Sequence, residues 1–249
     1  MDVKTAARTL DLFEAFAAIA QPASVTQLSR HLGIPVSSCF SLVKTLEAHG
    51  YLYPLQDRGP WYPTGQLLRV ASEISASDPV SQEIFDAMEV LRDEFDETVV
   101  LGVLRGPNVL YLHVFESSRP VRYAPRIGEQ RPAHANSIGK AILSQLPDKE
   151  FDALASRMDF TKLTPNTLAS RDDLEESLGI GNEIGWFTNL GESTEELGAV
   201  ACPLSANGYL FGLSVAGPLN RIRGVPPDTI GARIKSICAE LSGPLPNRR

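Results

Sequence analysis

Few side chains in this sequence are of the types that perform nucleophilic catalysis. Among the 249 residues there are three cysteines and four histidines. Covalent catalysis needs a nucleophile beside a base, which a third group orients. The sequence offers Cys202 or Ser137 as the nucleophile and His134 as the base. No third residue that would orient His134 stands out. No Gly-x-Ser-x-Gly, P-loop, GxGxxG or HExxH motif occurs. We therefore predict that the protein is not an enzyme, and a cytosolic hydrolase using these residues stays an alternative.

The same side chains are the first to consider for a metal site. A structural zinc site uses four Cys or His ligands, often paired at CxxC spacing. Cys39, Cys202 and Cys238 lie far apart and form no such pair. We predict no metal and no cofactor. His134 is expected to fix its own loop by hydrogen bonding, and Cys39 and Cys238 occupy apolar helical positions typical of a core.

Residues 127–147 suggest ligand binding rather than catalysis. They read IGEQRPAHANSIGKAILSQLP. A polar loop here runs into a helix that should begin near Ser137. Free backbone N–H groups at the start of a helix favour an anion. The segment therefore predicts a seat for a carboxylate or a similar group.

A second binding pattern lies in the first third of the chain. Ser24 and Gln27 fit a capping box, Gly33 ends that helix after about two turns, and a further helix begins around 35–37. Two short helices joined by a tight turn with glycine are typical of a helix-turn-helix. We expect the second of them to turn Phe40, Val43 and Leu46 inward.

The opposite face of that helix would meet DNA, because recognition helices enter the major groove with their N-terminal residues facing bases. The residues predicted on it are Val36, Ser37, Ser38, Ser41, Lys44 and Thr45. Val36 suits a thymine methyl group, the serines suit bases or phosphates, and Lys44 suits a phosphate. Strands at 51–53 and 61–62 predict a hairpin wing, in which Arg58 would contact the DNA backbone together with Lys4 and Arg8.

Apolar periodicity predicts the elements that position these sites. We predict a winged helix-turn-helix over residues 1–62, a linker helix over 63–79 and a larger domain over 80–249. Its predicted strands are Thr98–Leu104, Val109–Phe115, Val121–Ala124, Leu197–Cys202 and Leu210–Val215, and the sequence SANG at 205–208 predicts a hairpin turn between the last two. Its predicted helices are 80–96, Ile138–Gln145, Asp148–Arg157, Ser170–Glu183 and Pro227–Leu241. Strands segregated from helices favour an α+β fold with an antiparallel sheet.

Charge is unevenly distributed along the chain. The net charge is −7, yet residues 1–70 carry six basic and five acidic side chains. Any contact with nucleic acid must therefore come from the first third. No run approaches the ~20 apolar residues of a membrane helix, and no signal-peptide pattern opens the sequence. We expect a cytoplasmic protein with no membrane partner.

Three motifs span nearly the whole chain. Residues 24–51 read SVTQLSRHLGIPVSSCFSLVKTLEAHGY, residues 128–147 contain GEQRPAH, GKAIL and LP, and residues 195–203 (EELGAVACP) and 212–218 (GLSVAGP) form the third. In this order they resemble the helix-turn-helix, the first effector signature and the second effector signature of the IclR family of bacterial transcriptional regulators. Two positions depart from the family, because Val36 and Ser41 replace residues that are commonly polar or basic.

The resemblance implies a winged helix-turn-helix joined to an α/β, GAF-like effector domain. It implies a ligand-responsive regulator that binds double-stranded operator DNA as a homodimer, with tetramers also open, and that controls a catabolic operon. The effector would be a small organic acid. The effector-binding residues carried over are Ser137, Ile138, Asn189, Thr188, Gly198, Cys202, Ser214 and Ala216. Because Gly198 and Ala216 are small and apolar, an aromatic acid is favoured. A sensor acting through protein partners stays a second alternative.

Overall fold

The computed structural model describes residues 3–57, 59–76, 78 and 80–242. Contacts between Cα atoms divide the chain into two compact units, Met1–Asp78 and Pro79–Arg249. Arg58, predicted to contact DNA from the wing, lies outside the described residues. Within the described ranges, no helix has both the length and the apolar character needed to cross a bilayer.

The first unit is a three-helix bundle with a small hairpin. Its elements are α1 (Lys4–Ile19), α2 (Val25–Leu32), α3 (Val36–Ala48), β1 (Leu52–Pro54), β2 (Trp61–Pro63) and α4 (Gln66–Ser75). The capping box forms as predicted, since Gln27 N–H donates to Ser24 Oγ at 3.3 Å and Ser24 N–H donates to Gln27 Oε1 at 2.9 Å. Leu12, Leu28 and Trp61 meet in the core. The helix-turn-helix therefore rests on one shared apolar centre.

The second unit is built on a six-stranded antiparallel sheet of order β5-β4-β3-β8-β7-β6. Its elements before the central helices are α5 (Gln82–Phe95), β3 (Thr98–Arg105), β4 (Asn108–Phe115) and β5 (Gln130–Pro132). Its later elements are α6 (Ser137–Leu143), α7 (Asp148–Ala155), α8 (Arg171–Ile184), β6 (Phe187–Leu190), β7 (Leu197–Ala206), β8 (Tyr209–Pro218), α9 (Leu219–Gly224) and α10 (Pro227–Leu241). The predicted α+β fold with an antiparallel sheet is confirmed.

Helices cover both faces of this sheet, which gives the unit two separate cores. On one face, α5 and α10 pack on strand residues such as Val200 and Leu213. On the other face, α6 and α8 pack on residues such as Val100 and Ala201. We call them the α10 face and the α6 face. Because successive side chains of a strand point to opposite faces, each strand residue belongs to one core or the other.

Close approach of α6 to the sheet depends on glycine. A Cβ atom at Gly212 of β8 would lie 2.6 Å from Ile138 Cγ2, and one at Gly139 would lie 2.3 Å from the carbonyl oxygen of Ala133. Both distances are shorter than Cβ atoms show in folded proteins, so a larger residue at Gly212 would push α6 away from β8, and one at Gly139 would displace α6 from the turn before it. Gly212 thereby allows Ile138 to pack directly on β8.

Several elements differ from the sequence-based prediction. Val121–Ala124 is an irregular segment rather than a strand, and the edge strand that pairs with β4 is β5 instead. Strand β6 and helix α9 were not predicted. All three missed elements are only three to six residues long, too short to show a period. The strongest local signal, the turn before Tyr209, forms as predicted, with Asn207 and Gly208 at φ of 48° and 81°.

Candidate DNA-binding and effector-binding sites

Helix α3 has one buried face and one exposed face along its full length. Cys39, Val43 and Leu46 are buried in the core of the first unit. The exposed positions are Val36, Ser37, Phe40, Ser41, Lys44, Thr45 and Ala48. Five of the six residues predicted on the DNA-facing side are therefore exposed, and the sixth, Ser38, is half-buried.

Phe40 does not point inward as predicted. Its side chain is 51% exposed, whereas the neighbouring Cys39 is fully buried. The helical period explains the difference, because Cys39, Val43 and Leu46 follow the spacing of three and four residues that defines a single face. Phe40 lies about 100° away from Cys39 around the axis, among the residues predicted to contact DNA.

Lys44, predicted to contact a phosphate, is already engaged within the unit. Its ammonium forms an ion pair with Glu47 and lies 5.5 Å from the ring centroid of Trp61. Because the lysine side chain is 51% exposed, this ion pair contributes little to stability, as is usual for ion pairs on the surface. The positive charge of α3 is nevertheless partly neutralised before DNA arrives.

Two hydroxyl groups of α3 also have partners within the helix. Ser41 Oγ donates to the carbonyl oxygen of Ser37 at 3.1 Å, and Thr45 Oγ1 donates to that of Ser41 at 2.9 Å. Their lone pairs therefore remain as outward-facing acceptors. Lys4 is exposed and Arg8 half-buried on α1, where both stay predicted contacts to the DNA backbone.

The start of α6 is capped differently from the sequence-based expectation. Asn136 Oδ1 accepts hydrogen bonds from the N–H groups of Ile138 and Gly139, at 2.9 and 3.4 Å. The N–H of Ile138, predicted to bind the effector, is therefore already satisfied by a side chain. Instead, the methyl groups of Ile138 pack against the glycines of β3 and β8. Ile138 shapes the site by packing and does not offer a free donor.

Three of the residues predicted to bind the effector lie on the wrong face of the sheet. Cys202 is packed in the core of the α10 face, and a Cβ atom at Gly198 would lie 2.8 Å from Ile222 of α9. Thr188 pairs with Val200, which belongs to the same α10 face. A step of one residue along a strand reverses the direction of its side chain. Thr188, Gly198 and Cys202 are therefore removed from the candidate pocket.

The residues that replace them follow from strand pairing. Ala199 pairs with Ala216 and with Asn189, and Ala201 pairs with Ser214. Because Ala201 lies in the core of the α6 face, these partners face α6 as well. Sequence reasoning missed Ala199 and Ala201 because the whole run of β7 is small or apolar. The candidate pocket thus lies between α6 and β6–β8.

Two hydroxyl groups in this region make no side-chain hydrogen bond to the residues that the structure describes. Ser137 at the start of α6 and Ser214 on β8 are each 2% exposed. Within the described part of the chain, neither Oγ makes a recorded hydrogen bond. By contrast, Asn189 is fully engaged, since its Nδ2 donates to the carbonyl oxygen of Ala135 at 3.0 Å and its Oδ1 accepts the N–H of Glu192 at 2.8 Å. Ser137 and Ser214 are therefore the predicted effector-binding residues whose side chains can still form hydrogen bonds to a ligand.

A polar network borders the same region from the β3–β4 side. Asn136 Nδ2 donates to Tyr111 Oη at 2.8 Å, and the hydroxyls of Tyr111 and Tyr123 lie 3.3 Å apart. Burial raises the pKa of both phenols above their ordinary value, so both stay neutral and able to donate. The network ties the loop that carries Tyr123 to the cap of α6.

A cavity of about 280 Å³ opens beside Tyr123. Its walls come from the loop after β4 and from the ends of β7 and β8, and they include Val121, Leu197 and Pro218. Leu197 and Pro218 are cross-strand neighbours two residues beyond Ala199 and Ala216 on the same face. This mostly apolar cavity is slightly smaller than typical ligand pockets, and it ends two residues along β7 and β8 from Ala199 and Ala216.

Lys140 and Glu192 form a buried ion pair that sequence reasoning did not single out. The lysine ammonium lies 2.7 and 2.8 Å from the two carboxylate oxygens. Lys140 is 1% exposed and Glu192 8% exposed. The pair joins α6 to the segment that follows β6, next to Asn189. The one sequence signal that could have identified the pair is the position of Lys140 in the motif GKAIL.

The arrangement excludes the catalytic pairing of Cys202 with His134. Cys202 Sγ lies 3.6 Å from the carbonyl oxygen of Gly185 on the α10 face, and burial raises the pKa of its thiol to about 12. His134 is buried on the α6 side, 5.1 Å from the ring of Phe160, and burial lowers its pKa. Among the described residues, no cluster of three or more His, Cys, Asp or Glu side chains suits a metal.

Comparison with known proteins covers both units. The helix-turn-helix domain of the IclR family matches residues 5–55, and the C-terminal domain of IclR bacterial transcriptional regulators matches residues 75–242. The regulator XynR of Escherichia coli K12 is 28% identical over 202 residues, which are 81% of this chain and 80% of that protein. The acetate operon repressor of Salmonella typhimurium is 26% identical over 96% of this chain and 89% of its own length.

Solved structures share the fold. The IclR protein of Thermotoga maritima superposes with a TM-score of 0.75 at 20% identity, over 97% of this chain and all of that one. An IclR homologue from Microbacterium hydrocarbonoxydans, solved in complex with 4-hydroxybenzoate, gives a TM-score of 0.65 at 19% identity, over 95% of this chain and 99% of that one.

Proposed function

The chain belongs to the IclR family of bacterial transcriptional regulators, and from that membership we propose that an aromatic carboxylic acid controls its binding to the operator of a catabolic operon. It is a DNA-binding transcriptional regulator with a ligand-binding C-terminal domain, not an enzyme. The observation that carries the proposal is the pair of hydroxyls on the α6 face, Ser137 and Ser214, neither of which makes a side-chain hydrogen bond to the described residues. A serine hydroxyl both donates and accepts, so a ligand with carboxylate oxygens suits this place.

The chemistry of the walls supports an aromatic acid over a two- or three-carbon acid. Ala199 and Ala216 present methyl groups, and the cavity further along the same strands is lined by Tyr123, Leu197 and Pro218. A flat ring buries apolar surface against such walls at roughly 25 cal/mol per Å². One structural relative was solved with 4-hydroxybenzoate, which makes that acid a suitable first probe.

Exposed apolar residues support a homodimer formed through the N-terminal unit. Val3, just before α1, and Leu10 of α1 are 67% and 66% exposed, and Leu68 and Ile74 of α4 are 72% and 69% exposed. Dimers place two recognition helices on half-sites one helical turn apart, which compensates for the few cations on each. We expect the Leu68→Glu variant to sediment as a monomer and to lose operator affinity. The same sedimentation experiment tests whether dimers pair into tetramers through the larger unit. In that case the wild type sediments as a tetramer and Leu68→Glu as a dimer.

A binding experiment tests the proposal. The full chain is titrated onto labelled DNA from upstream of its own gene, with and without benzoate, 4-hydroxybenzoate or pyruvate. We expect specific binding that weakens steeply with salt and that only the aromatic acids change. At a hundredfold excess over Kd the acid should also stabilise the protein by about 2.7 kcal/mol. A response to pyruvate alone would overturn the aromatic assignment, and no specific binding would overturn the operator proposal.

Two variants locate the effector site on one face of the sheet. Ala216→Leu enlarges a strand residue that faces α6 and should abolish the response while leaving effector-free operator binding intact. Thr188→Leu is the matched control, because it enlarges a strand residue on the α10 face and should leave the response unchanged. If Thr188→Leu abolished the response and Ala216→Leu did not, the site would lie on the α10 face.

A further inference from the structure

Two large apolar side chains stand one helical turn apart on the exposed face of α3. Val36 is 50% exposed and Phe40 is 51% exposed. Residues four apart on a helix are surface neighbours with about 5–6 Å between their Cβ atoms. Together they form an apolar ridge at the N-terminal end of the recognition helix, where side chains contact base edges.

The rest of this face lacks the groups that read G·C pairs. Guanine is recognised through its two major-groove acceptors, most often by Arg or Lys donors. Lys44 is the only Arg or Lys between Val36 and Ala48, and it is paired with Glu47 and lies over the ring of Trp61. The exposed face of α3 therefore has few hydrogen-bond donors for the acceptor atoms of guanine.

The hydroxyls beside the ridge complement A·T pairs instead. Ser41 and Thr45 use their hydrogens on helix carbonyls, so their free lone pairs accept. In the major groove an A·T pair presents the N6 donor of adenine and the 5-methyl group of thymine. The apolar ridge matches the methyl group of thymine, and the hydroxyl acceptors beside it match the N6 donor of adenine.

We propose that Val36 and Phe40 read the 5-methyl groups of two thymines in each operator half-site, Phe40 being the main specificity-determining residue. The proposal rests on the operator binding proposed above. Four helical residues rise about 6 Å, and successive base pairs rise 3.4 Å. The two thymines should therefore stand about two base pairs apart, on one strand or on both.

Deoxyuridine in place of thymidine tests the proposal, because it keeps the Watson–Crick pairing and removes only the methyl group. The preferred half-site is first selected from random duplexes with the full-length protein. Each thymine of that site is then replaced singly, and Kd is measured at fixed salt. Losing one buried methyl group should weaken binding about fourfold, from roughly 0.8 kcal/mol per apolar carbon. We expect that loss at two positions about two base pairs apart.

Variants assign each methyl group to a side chain. Phe40→Ala should bind the unmodified site more weakly and become indifferent to deoxyuridine at one of the two positions, and Val36→Ala should do so at the other. Tyr209→Ala, which removes a ring that is 54% exposed in the second unit, is the matched control and should keep both effects.

Each other outcome contradicts a distinct claim. If a specific site is selected but no deoxyuridine weakens binding, or if its effect persists in Phe40→Ala, thymine reading by Phe40 is wrong and operator binding stands. If Phe40→Ala instead dissociates the dimer, Phe40 belongs to a protein interface. If no site is selected at all, operator binding fails together with this proposal.

Discussion

Lys140 Nζ lies 2.7 Å from one carboxylate oxygen of Glu192 and 2.8 Å from the other, inside the second unit. Burial lowers the pKa of Lys140 and raises that of Glu192, and in each case attraction by the partner opposes the shift. The backbone carbonyl of Glu192 also accepts from Thr167 Oγ1 at 2.6 Å. This ion pair therefore holds α6 against the segment after β6, beside the candidate effector pocket.

Removing one member of the pair should be strongly destabilising. Lys140→Met leaves the carboxylate of Glu192 buried without a partner, which costs about 3–5 kcal/mol. The measurement is the free energy of unfolding of the full chain in urea. The double variant Lys140→Met, Glu192→Leu should recover most of the loss, because desolvation of both charges is then avoided. A loss below ~1 kcal/mol in the single variant would show that water reaches the pair.

Gly139 should not tolerate a methyl group. The added Cβ of Gly139→Ala would lie 2.3 Å from the carbonyl oxygen of Ala133, so α6 must shift, at a cost of about 1–3 kcal/mol. Gly179→Ala on α8 is the matched control, since nothing lies within 4 Å of its added Cβ. It should stabilise the protein by about 0.5–1 kcal/mol through helix propensity. Equal thermal shifts for the two variants would contradict the tight packing of α6.

Asp96 should make stability depend on pH in the acid range. The guanidinium of Arg119, together with Ser118 and Ser117, lowers the pKa of Asp96 from 3.8 to about 2. A depressed folded-state pKa contributes stability that is complete above pH 4 and is lost as the pH falls towards 2. Asp96→Asn tolerates the same left-handed backbone, at φ of 46°. The melting temperature of the variant should vary less than that of the wild type between pH 4 and 2, and parallel curves would refute the assignment.

All three thiols should be unreactive in the folded protein. Cys39, Cys202 and Cys238 are buried, and burial raises the pKa of each, that of Cys202 to about 12. The thiolate is the reactive form, so a chromogenic disulfide reagent at pH 8 should react only after unfolding, with three thiols per chain. Rapid reaction of one thiol in the native protein would place it in an accessible site and reopen nucleophilic chemistry.

Prediction from the sequence succeeded where local signals are strong. The capping box of Ser24 and Gln27, the end of α2 at Gly33, and the turn at Asn207 and Gly208 formed as expected, because each depends on neighbours within a few residues. The family motifs fixed the order of the two units, and the comparisons confirmed the family.

Site residues were harder to predict, because their direction depends on packing. Gly198, Ala199 and Cys202 lie in a run of small and apolar residues, and a strand covered by helices on both faces lacks the alternation that reveals its register. A shift of one position therefore assigned Gly198 and Cys202 to the wrong face. The same problem affected Phe40, since an aromatic ring on a helix is usually buried.

By itself, the sequence determined that this chain has a helix-turn-helix followed by an effector domain, because capping, periodicity and motif spacing act over short distances. Only the tertiary structure decided which side chains share a face. Lys140 meets Glu192 because α6 packs on the sheet beside β6, and Gly212 allows the close approach of that helix to β8. Contacts between residues more than fifty positions apart follow from the packing of whole elements, which no local pattern encodes.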